Sequence, residues 1–302
     1  MPYAHVIVNP IAGADNTARK WPQIKELMQS IGLDFEYTLT EAPQHAVEIA
    51  KTAAMKGCRF LIPVGGDGTI SEVVNGLYQA NCLSESIVGI ICTGTGADYI
   101  RTLGMPRAFS DACQLLKNPK TCRVDVGVIE YLDRGNINTR LFVNFAGLGF
   151  DAEIVRTTKE TFKAMGAMPA YLMGLLSTLV SYKSKNVSIV VDGRVEERKI
   201  VTMLMGQGKY AGGGMMTTPN ADPCDGLFDV LIVDDMSKFD LLWSLPRIYK
   251  GTHLTHPKVS VERVKEIEIR TETKICVQAD GDLTGDTPAR FYVLPSALNV
   301  VI

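Results

Sequence analysis

The ten residues Phe-Leu-Ile-Pro-Val-Gly-Gly-Asp-Gly-Thr, numbered 60–69, decide how this chain is expected to fold. The first five are an apolar run, which is typical of a buried strand. Apolar residues then recur at helical spacing from Ile70 to Leu77. Glycine adopts backbone conformations that other residues avoid, so the glycines between the two patterns suit a tight connection. The stretch therefore predicts a strand, a sharp turn and a helix in immediate succession.

The residues on either side of this stretch repeat the alternation of strand and helix. The sequence pattern predicts strands at residues 5–8, 35–39, 60–64 and 87–92, and helices around residues 21–31, 46–56, 70–77 and 109–116. Repeated units of this kind are typical of a parallel sheet with helices on both faces. We therefore expect an α/β domain over residues 1–125, to which the last segment, 291–302, is a candidate to return.

The pattern changes after residue 124, where strands follow one another through turns. Two strands, 187–191 and 194–205, flank Asp192-Gly193, which is a strong signal for a tight hairpin. Further strands are predicted at 227–233, 267–270 and 274–279, with helical segments at 152–182 and 238–249. Residues 126–290 are therefore expected to form a second, β-sandwich-like domain that carries a few helices.

The composition excludes several classes of protein. Of the 302 residues, 46% are hydrophobic and 21% are charged, which excludes a mainly disordered chain. The net charge of −2 gives no indication of nucleic-acid binding. The longest apolar stretch, 168–182, is shorter than a membrane span needs. The seven cysteines contain no Cys-x-x-Cys pair, and no basic leader opens the chain, so we expect free thiols and a cytoplasmic location.

The junction Gly65-Gly66-Asp67-Gly68-Thr69 has the features of a phosphate site. The N-terminus of a helix presents unpaired N–H groups and a partial positive charge, both of which suit phosphate. Asp67 could hold the Mg²⁺ that accompanies phosphoryl transfer. The structural alternative is a tight turn in which Asp67 caps its own helix. Three glycines, a carboxylate and a hydroxyl at one junction favour the nucleotide interpretation.

A second glycine segment, 94–101, follows the next predicted strand and reads Gly-Thr-Gly-Ala-Asp-Tyr-Ile-Arg. Loops that follow parallel strands meet at the carboxyl edge of a sheet, where ligands bind in open α/β folds. We therefore expect it to lie beside the first junction. The first motif alone does not decide among families, since NAD kinases carry a similar sequence and phosphofructokinases a related one.

The ordered set of motifs resembles the diacylglycerol kinase catalytic-domain family, in its bacterial lipid kinase branch, which is related to the sphingosine and ceramide kinases. The resemblance begins with Asn9-Pro10 after the first strand and continues through the two glycine segments. In the second half it includes residues 212–215, 222–227, 251–253, 256–257 and 280–281. It therefore covers nearly the whole chain.

This resemblance implies an ATP- and Mg²⁺-dependent kinase with its active site in a cleft between the two domains. Asp98 would lie beside the phosphates, and Asp125 would support the site through hydrogen bonds, unless it is only a strand-edge residue. The residues implied to contact ATP or its metal are Asn9, Thr40, Gly65, Gly66, Asp67, Gly68, Thr69 and Thr95.

The implied catalytic base is Asp282, in Asp280-Gly281-Asp282. The family has Glu at this position, and a carboxylate within reach of a hydroxyl can take its proton. The structural alternative is a hairpin turn at Asp280-Gly281, and both can hold together. The chain also departs from the family at Ala97, where the family has Asn.

A structural Mg²⁺ is the second implied metal, held by Asp222, Asp225 and the carbonyl oxygen of Leu227. Oxygen donors at this spacing suit a hard cation. The alternative is an Asx turn before a strand, and the two interpretations are about evenly matched.

Three functions remain open from the sequence. The first is a lipid kinase that contacts its substrate at a membrane surface, with an apolar groove formed by the 168–182 helix and by Phe145, Leu148 and Phe150. The second is a kinase of a soluble substrate such as NAD. The third is a catalytically weak nucleotide-binding regulator, which the substitutions at Ala97 and Asp282 motivate. We expect no nucleic-acid partner. We do expect transient association with a membrane, and the sequence leaves a homodimer open.

Overall fold

The computed structural model describes residues 3–161 and 167–302, and their side chains apart from those at 14–15, 159–161 and 167–172. The chain forms two compact units. The first consists of Met1–Val126 together with Pro295–Ile302, and the second of Gly127–Leu294. The predicted boundary lay between residues 125 and 126.

The first unit alternates strands and helices in chain order. Its elements are β1 Ala4–Val8, α1 Ala12–Ser30, β2 Phe35–Leu39, α2 His45–Met55, β3 Phe60–Gly65, α3 Asp67–Gln79, β4 Ile87–Val88, β5 Ile91–Cys92, α4 Asp98–Thr102 and α5 Phe109–Lys117. The helix predicted at 21–31 begins earlier, at Ala12, because its first two turns are largely polar and carry no apolar repeat.

The strands of the first unit pair in parallel. β1 lies between β2 and β3, while β4 and β5 pair with the other side of β3. The strand predicted at 87–92 is divided in two at Gly89, where a Cβ atom would lie 2.4 Å from Leu116. The last residues of the chain return to this unit, since Asn299 and Val300 pair with β4.

Helices α2 and α3 pack closely against each other in this unit. A Cβ atom at Gly76 of α3 would lie 2.4 Å from the carbonyl oxygen of Val47 and 2.7 Å from the Cβ of Ala50. A glycine in mid-helix costs stability, and here it permits the two helix backbones to approach. This contact helps to fix α3, and therefore the glycine junction at its start.

The second unit is mostly antiparallel. Its elements are β6 Thr121–Asp133, β7 Asn136–Phe142, β8 Phe145–Gly149, α6 Phe150–Thr161, α7 Ala167–Ser181, β9 Lys185–Val191, β10 Arg194–Gly206, β11 Phe228–Asp234, α8 Lys238–Ile248, a 3₁₀ turn Thr252–Thr255, β12 Val259–Val264, β13 Glu266–Arg270, β14 Cys276–Ala279 and β15 Asp282–Val301. Strands β6 and β15 also extend into the first unit.

The predicted hairpin between β9 and β10 is confirmed, and both of its turn residues, Asp192 and Gly193, have positive φ. The helical segment predicted at 152–182 is confirmed in α6 and α7, and its residues 162–166 lie outside the described residues. Strands β6, β7, β8, β12 and β15 were missed. Polar and apolar residues are mixed in β6, β7, β12 and β15, and two of the five residues of β8 are glycines.

The second half of β10, residues 200–206, and nearly all of β11 are buried on both faces. Met203 and Ile232 point into an all-β core, while Val201 and Leu231 point into a second core beneath α6 and α7. A strand that is covered on both sides reads as a continuous apolar run, which is why these two strands were recognisable in the sequence.

We predict that Gly76→Ala destabilises the protein, because its new methyl group would meet the backbone of α2. Overpacking of this kind costs about 1–3 kcal/mol in the free energy of unfolding, measurable by urea denaturation. Gly68→Ala on the same helix is the matched control, since a Cβ atom there has nothing within 4 Å. Equal loss of stability in both variants would contradict the packing account.

Candidate functional site

The glycine junction of the first unit leaves the start of α3 open. Gly66 is the residue before the helix, with an extended backbone, and no side chain caps the first turn. Its carbonyl oxygen accepts the first helical hydrogen bonds, from the N–H groups of Thr69 (3.0 Å) and Ile70 (3.3 Å). The first N–H groups of a helix have no partner within the helix, so they can bind an anion.

The two glycine segments lie against each other. The carbonyl oxygen of Gly65 accepts a hydrogen bond from the N–H of Thr93 (2.8 Å), and a Cβ atom at Gly94 would lie 2.6 Å from the Cα of Gly66. The prediction that both segments meet at the carboxyl edge of the sheet is therefore confirmed. Only glycine fits at position 94 with this backbone arrangement.

Asp67 joins the first segment to the second. Its carboxylate accepts hydrogen bonds from the backbone N–H groups of Asp98 (3.3 Å) and Tyr99 (3.1 Å). It therefore stabilises the start of α4, whereas the structural alternative had it capping its own helix. The Asp98 side chain is buried and its Oδ1 contacts Arg101 at 3.3 Å. Both carboxylates approach Gly96, within 3.1 and 3.5 Å of a Cβ atom built there.

Asn9 lies beside this junction with an unsatisfied oxygen. Its Nδ2 donates to Thr69 Oγ1 at 3.0 Å, but the buried Oδ1 has no hydrogen-bond partner in the part of the chain that the structure describes. A buried polar atom without a partner is costly, and in native proteins it commonly marks a place where a ligand or water binds.

Thr40 lies at the same edge of the sheet, where its N–H donates to the carbonyl oxygen of Val8. Thr95 is exposed in the second segment.

The donor atoms at this edge fit a Mg²⁺ ion that is shared with phosphate. Asp67 and Asp98 supply hard oxygen ligands, and Mg²⁺ in nucleotide sites is commonly held by one or two carboxylates together with phosphate oxygens. Across the described ranges, no three His, Cys, Asp or Glu side chains converge to hold a metal by themselves. A cation at this edge would therefore take its remaining ligands from phosphate or water.

Cys92, which precedes the second segment, is not a nucleophile. Burial raises the pKa of its thiol to about 12, and the negative charge of Asp67 contributes in the same direction. The thiol is therefore protonated at neutral pH, which disfavours a nucleophilic role for Cys92.

Asp125 is fully buried and holds the returning end of the chain. Its Oδ1 accepts a hydrogen bond of 2.7 Å from the N–H of Ser296. This contact accounts for its burial through the fold. Its support of an active site stays a prediction.

In the second unit, Asp280 and Gly281 form the hairpin turn between β14 and β15, as the structural alternative predicted. Both have positive φ. The Asp280 carboxylate accepts hydrogen bonds from the N–H groups of Val143 (2.9 Å), Asn144 (3.0 Å) and Phe145 (3.1 Å). The turn is thereby fixed to the start of β8, and Asp282 follows it at a defined position.

Asp282, the predicted base, forms an ion pair. Its Oδ2 accepts from Arg140 Nη2 at 2.8 Å, and both side chains are largely buried. The guanidinium orients the carboxylate. Arg140 was not identified from the sequence, because β7 itself was missed and nothing in the local pattern links residues 140 and 282.

Two buried amide side chains near this turn were also missed. Gln207 is fully buried, and neither its Oε1 nor its Nε2 has a hydrogen-bond partner among the residues described. Asn144 donates to the Tyr210 carbonyl at 2.8 Å, while its Oδ1 is likewise unsatisfied. Gln207 directly follows the apolar end of β10 and precedes a glycine, which is the signal that could have identified it. These atoms suit a polar ligand.

Asp151 is a buried carboxyl in the same unit. Burial raises its pKa to about 6, although a hydrogen bond from Gln278 Nε2 (2.6 Å) acts in the opposite direction. The Oε1 of Gln278 accepts from the N–H of Gly281 at 2.9 Å. Gln278 thus links Asp151 to the turn that precedes Asp282.

Asp222 and Asp225 form Asx turns, as the structural alternative predicted. Asp222 Oδ1 accepts from the N–H of Cys224 and Asp225 Oδ1 from that of Leu227, both at 3.0 Å. Arg263 contacts the second carboxylate of this pair and also Asp229. A guanidinium therefore already supplies positive charge here, and metal binding by Asp222, Asp225 and Leu227 stays a prediction.

The predicted apolar groove is wrong at Leu148. Phe145 and Phe150 pack in the core beneath α7, but Leu148 is fully buried in the all-β core on the opposite face of β8. Successive strand residues alternate between faces, so 145 and 148 cannot line one surface.

Two family models match the chain in sequence. The model of the diacylglycerol kinase catalytic domain matches residues 3–129, and that of the YegS C-terminal NAD kinase beta sandwich-like domain matches residues 144–302. The chain belongs to the diacylglycerol kinase catalytic-domain family. The predicted resemblance is confirmed, and membership in this kinase family makes the chain a phosphotransferase.

Relatives of this family member extend over its whole length. It is 28% identical over 302 residues to the diacylglycerol kinase of Bacillus subtilis (strain 168). The alignment covers 100% of this chain and 97% of the relative. It is similar to the crystal structure of a candidate diacylglycerol kinase from Bacillus anthracis str. Sterne, with 25% identity, a TM-score of 0.78 and coverage of 99% and 94%.

A third similarity concerns the fold alone. Yeast NADH kinase, solved in complex with NADH, shares 13% identity with a TM-score of 0.56, and the match covers 99% of this chain and 83% of that one.

In residues 3–161 and 167–302 of the present chain, no helix is both long enough and apolar enough to cross a membrane.

We predict that Asp151 makes stability depend on pH. Its pKa rises from 3.8 to about 6 on folding, so the folded state binds the extra proton and stability falls as pH rises from about 4 to 6. A shift of about two pKa units changes the free energy of unfolding by at most about 3 kcal/mol. The free energy of unfolding of Asp151→Asn, relative to that of the wild type, should therefore increase by up to about 3 kcal/mol as the pH rises from 4 to 7.

Urea unfolding at both pH values measures this difference. Asp192→Asn is the control, because Asp192 is exposed in a turn where asparagine is well accepted. If the difference in free energy of unfolding between Asp151→Asn and the wild type is the same at pH 4 and pH 7, the pKa of this carboxyl is not raised by folding.

Proposed function

We propose that this protein is an ATP- and Mg²⁺-dependent lipid kinase that transfers the γ-phosphate of ATP to a hydroxyl of a diacylglycerol-like lipid. Its family membership supports phosphoryl transfer. Its relatives from Bacillus subtilis and Staphylococcus carnosus are named diacylglycerol kinases, which supports a lipid acceptor.

The observation that carries the proposal is the unsatisfied Asn9 oxygen beside two touching glycine segments. Gly66 and Gly94 approach each other through bare backbone, and the uncapped start of α3 faces the same edge. Phosphates of ATP would accept hydrogen bonds from N–H groups of this junction, while Asn9 Oδ1 would accept one from the nucleotide or from a water bound to it.

Mg²⁺, held by Asp67 with Asp98 nearby, would neutralise charge that develops on the phosphate oxygens. Asp67 has a second task in this proposal. Because its carboxylate accepts from the N–H groups of Asp98 and Tyr99, it keeps the second glycine segment in position. Removal of this side chain is therefore expected to affect both charge and loop geometry.

Asp282 would act as the general base. It would accept the proton of the lipid hydroxyl as the oxygen attacks the γ-phosphorus and the bond to the β-phosphate oxygen breaks. Arg140 would position Asp282 through their ion pair of 2.8 Å. Aspartate is one methylene shorter than the glutamate of the family, and the hydrogen bonds from Val143, Asn144 and Phe145 to Asp280 hold its backbone rigidly.

The polar part of the lipid would be recognised by Asn144 and Gln207. Both amides are buried, and both have atoms without hydrogen-bond partners in the described chain. Glycerol hydroxyl and ester groups offer a donor and acceptors that match an amide. A site built to hydrogen-bond such groups would reject molecules that lack them.

The decisive experiment is a labelled-ATP assay in detergent micelles over a panel of diacylglycerol, ceramide, sphingosine and, as a soluble acceptor, NAD. We predict transfer to diacylglycerol or a related lipid and none to NAD. The yeast NADH kinase fold is the reason for including NAD. Transfer to NAD alone would establish the soluble-substrate alternative, and ATP binding without transfer to any acceptor would indicate a regulator.

Asp67→Ala should lower the rate of lipid phosphorylation by at least about 100-fold, because it removes a carboxylate from the phosphate site and two hydrogen bonds from α4. Asp111→Ala, which changes an exposed carboxylate of α5, is the control. Full activity of Asp67→Ala would exclude the proposed metal site.

Asp282→Asn should lower the turnover number by about 100-fold or more while leaving ATP affinity unchanged, since general bases contribute about 10²–10⁴-fold. Asp282→Glu should retain most of the activity. Rates of both variants in the micelle assay, with ATP affinity from calorimetry, measure this. Equal turnover by Asp282→Asn and the wild type would remove Asp282 from the mechanism.

A further inference from the structure

Helix α8 is apolar on two sides, but the protein covers only one of them. Leu241 and Leu245 pack in the core beneath α6 and α7. On the other side Phe239 is 73% exposed, Trp243 64% and Leu242 46%. A helix that is apolar all round is ordinarily enclosed by protein or by membrane. The exposed side therefore indicates a missing partner.

The exposed residues of α8 form an ordered stripe. Positions 239, 242, 243 and 246 follow helical spacing, and the rings of Phe239 and Trp243 stack with their centroids 6.3 Å apart. Tyr249 extends the stripe beyond the helix and is 51% exposed. Large aromatic side chains in such an arrangement are far from the scattered exposed apolar residues of an ordinary surface.

The end of helix α7 lies beside the start of α8. Lys238, at the start of α8, contacts the carbonyl oxygen of Val180 near the end of α7. Val180 is 74% exposed, and Met173 and Leu176 are each 40% exposed. We define the α7–α8 surface by these side chains: Met173, Leu176, Val180, Phe239, Leu242 and Trp243.

Basic residues surround the α7–α8 surface. Lys183 follows α7, Lys238 and Arg247 lie on α8, and Lys250 follows it. The acidic groups nearby are fewer: Asp235 is paired with Lys199 (2.9 Å), and Asp240, which accepts a hydrogen bond from Ser237 (2.7 Å), keeps its charge. The rim of the surface is therefore positive.

A cavity of about 520 Å³ opens beside the same surface. Its lining combines apolar side chains with three lysines, Lys183, Lys199 and Lys238, and the carboxylate of Asp235. The apolar side chains of the lining are Phe150, Leu179, Tyr182, Val201, Met236 and Leu241. An apolar cavity with lysines in its lining suits acyl chains below anionic groups.

We propose that the α7–α8 surface docks the protein on an anionic phospholipid bilayer. This inference rests on the proposed lipid kinase function, which requires access to a membrane-borne substrate. Trp, Phe and Leu with surrounding Lys are the composition of helices that lie in the bilayer interface. Lysine is depleted at protein–protein interfaces, so the rim favours lipid headgroups over a second copy of the chain.

Trp243 provides a direct measurement of docking. The chain has two tryptophans, and Trp21 is 8% exposed in the core of the first unit. In a Trp21→Phe variant, emission reports Trp243 alone. Vesicles of phosphatidylcholine with 30% phosphatidylglycerol, without diacylglycerol or ATP, should shift this emission to the blue, and brominated lipid should quench it. Pure phosphatidylcholine should weaken binding about tenfold, as should 0.5 M salt.

Cosedimentation with the same vesicles tests the residues. Phe239→Ser combined with Trp243→Ser should reduce binding at least about tenfold, because two aromatic side chains no longer enter the interface. Ile137→Ser, which replaces a 77% exposed residue of β7, is the matched control and should bind like the wild type. Urea denaturation shows whether each variant is folded.

Two outcomes would overturn the inference: the wild type fails to bind anionic vesicles, or the double variant binds them as the wild type does. If, in either case, only the wild type self-associates in analytical ultracentrifugation, the surface belongs to an interface with a second copy of the chain.

The micelle assay separates this inference from the proposed function. Vesicle binding without lipid phosphorylation in micelles would contradict the function and leave the docking surface standing. Phosphorylation in micelles without vesicle binding would contradict the surface alone.

Discussion

The backbone contact between Gly66 and Gly94 is the constraint on which the first unit depends. A Cβ atom at position 94 would lie 2.6 Å from the Cα of Gly66, so any side chain there would separate the two segments. Around this contact the parallel strands bring Asn9 to the same edge, and Asp67 joins the start of α4 to the start of α3. Phosphate recognition through backbone N–H groups needs such bare, closely packed main chain, and glycine is the residue that permits it.

The second unit fixes its chemistry through side chains. Asp280 holds the turn by accepting three backbone N–H groups, Gln278 links the turn to Asp151, and Arg140 orients Asp282. Each contact joins residues more than a hundred positions apart in sequence, except for the bond from Gln278 to the turn. Long-range contacts of this kind require loops to close, which costs entropy. The pairing of the antiparallel strands already closes these loops, so the side-chain contacts add little further entropic cost.

The sequence was sufficient for the elements with strong periodicity. Buried strands such as β3 and β11, the hairpin at Asp192-Gly193 and the adjacency of the two glycine segments were all predictable, because local patterns determine them. Strands β6 and β7 were not, since their residues are half polar, and the close approach of Leu116 to Gly89 joins residues of two separate elements that no local pattern links. Arg140 and Asn144 were missed because their roles arise from partners, or missing partners, that only the folded chain reveals. For Gln207 the apolar strand before it and the glycine after it were a local signal, but its unsatisfied amide is seen only in the folded chain. The resemblance supplied Asp282, whose role no local pattern could have assigned.

The most direct test of the phosphate site is nuclear magnetic resonance of the backbone amides during titration with a non-hydrolysable ATP analogue and Mg²⁺. The account predicts the largest chemical-shift changes at Gly66, Asp67 and Gly68 and at residues 94–96, all within the two glycine segments. Unchanged amide signals in both segments, with a saturable response elsewhere in the protein, would contradict it.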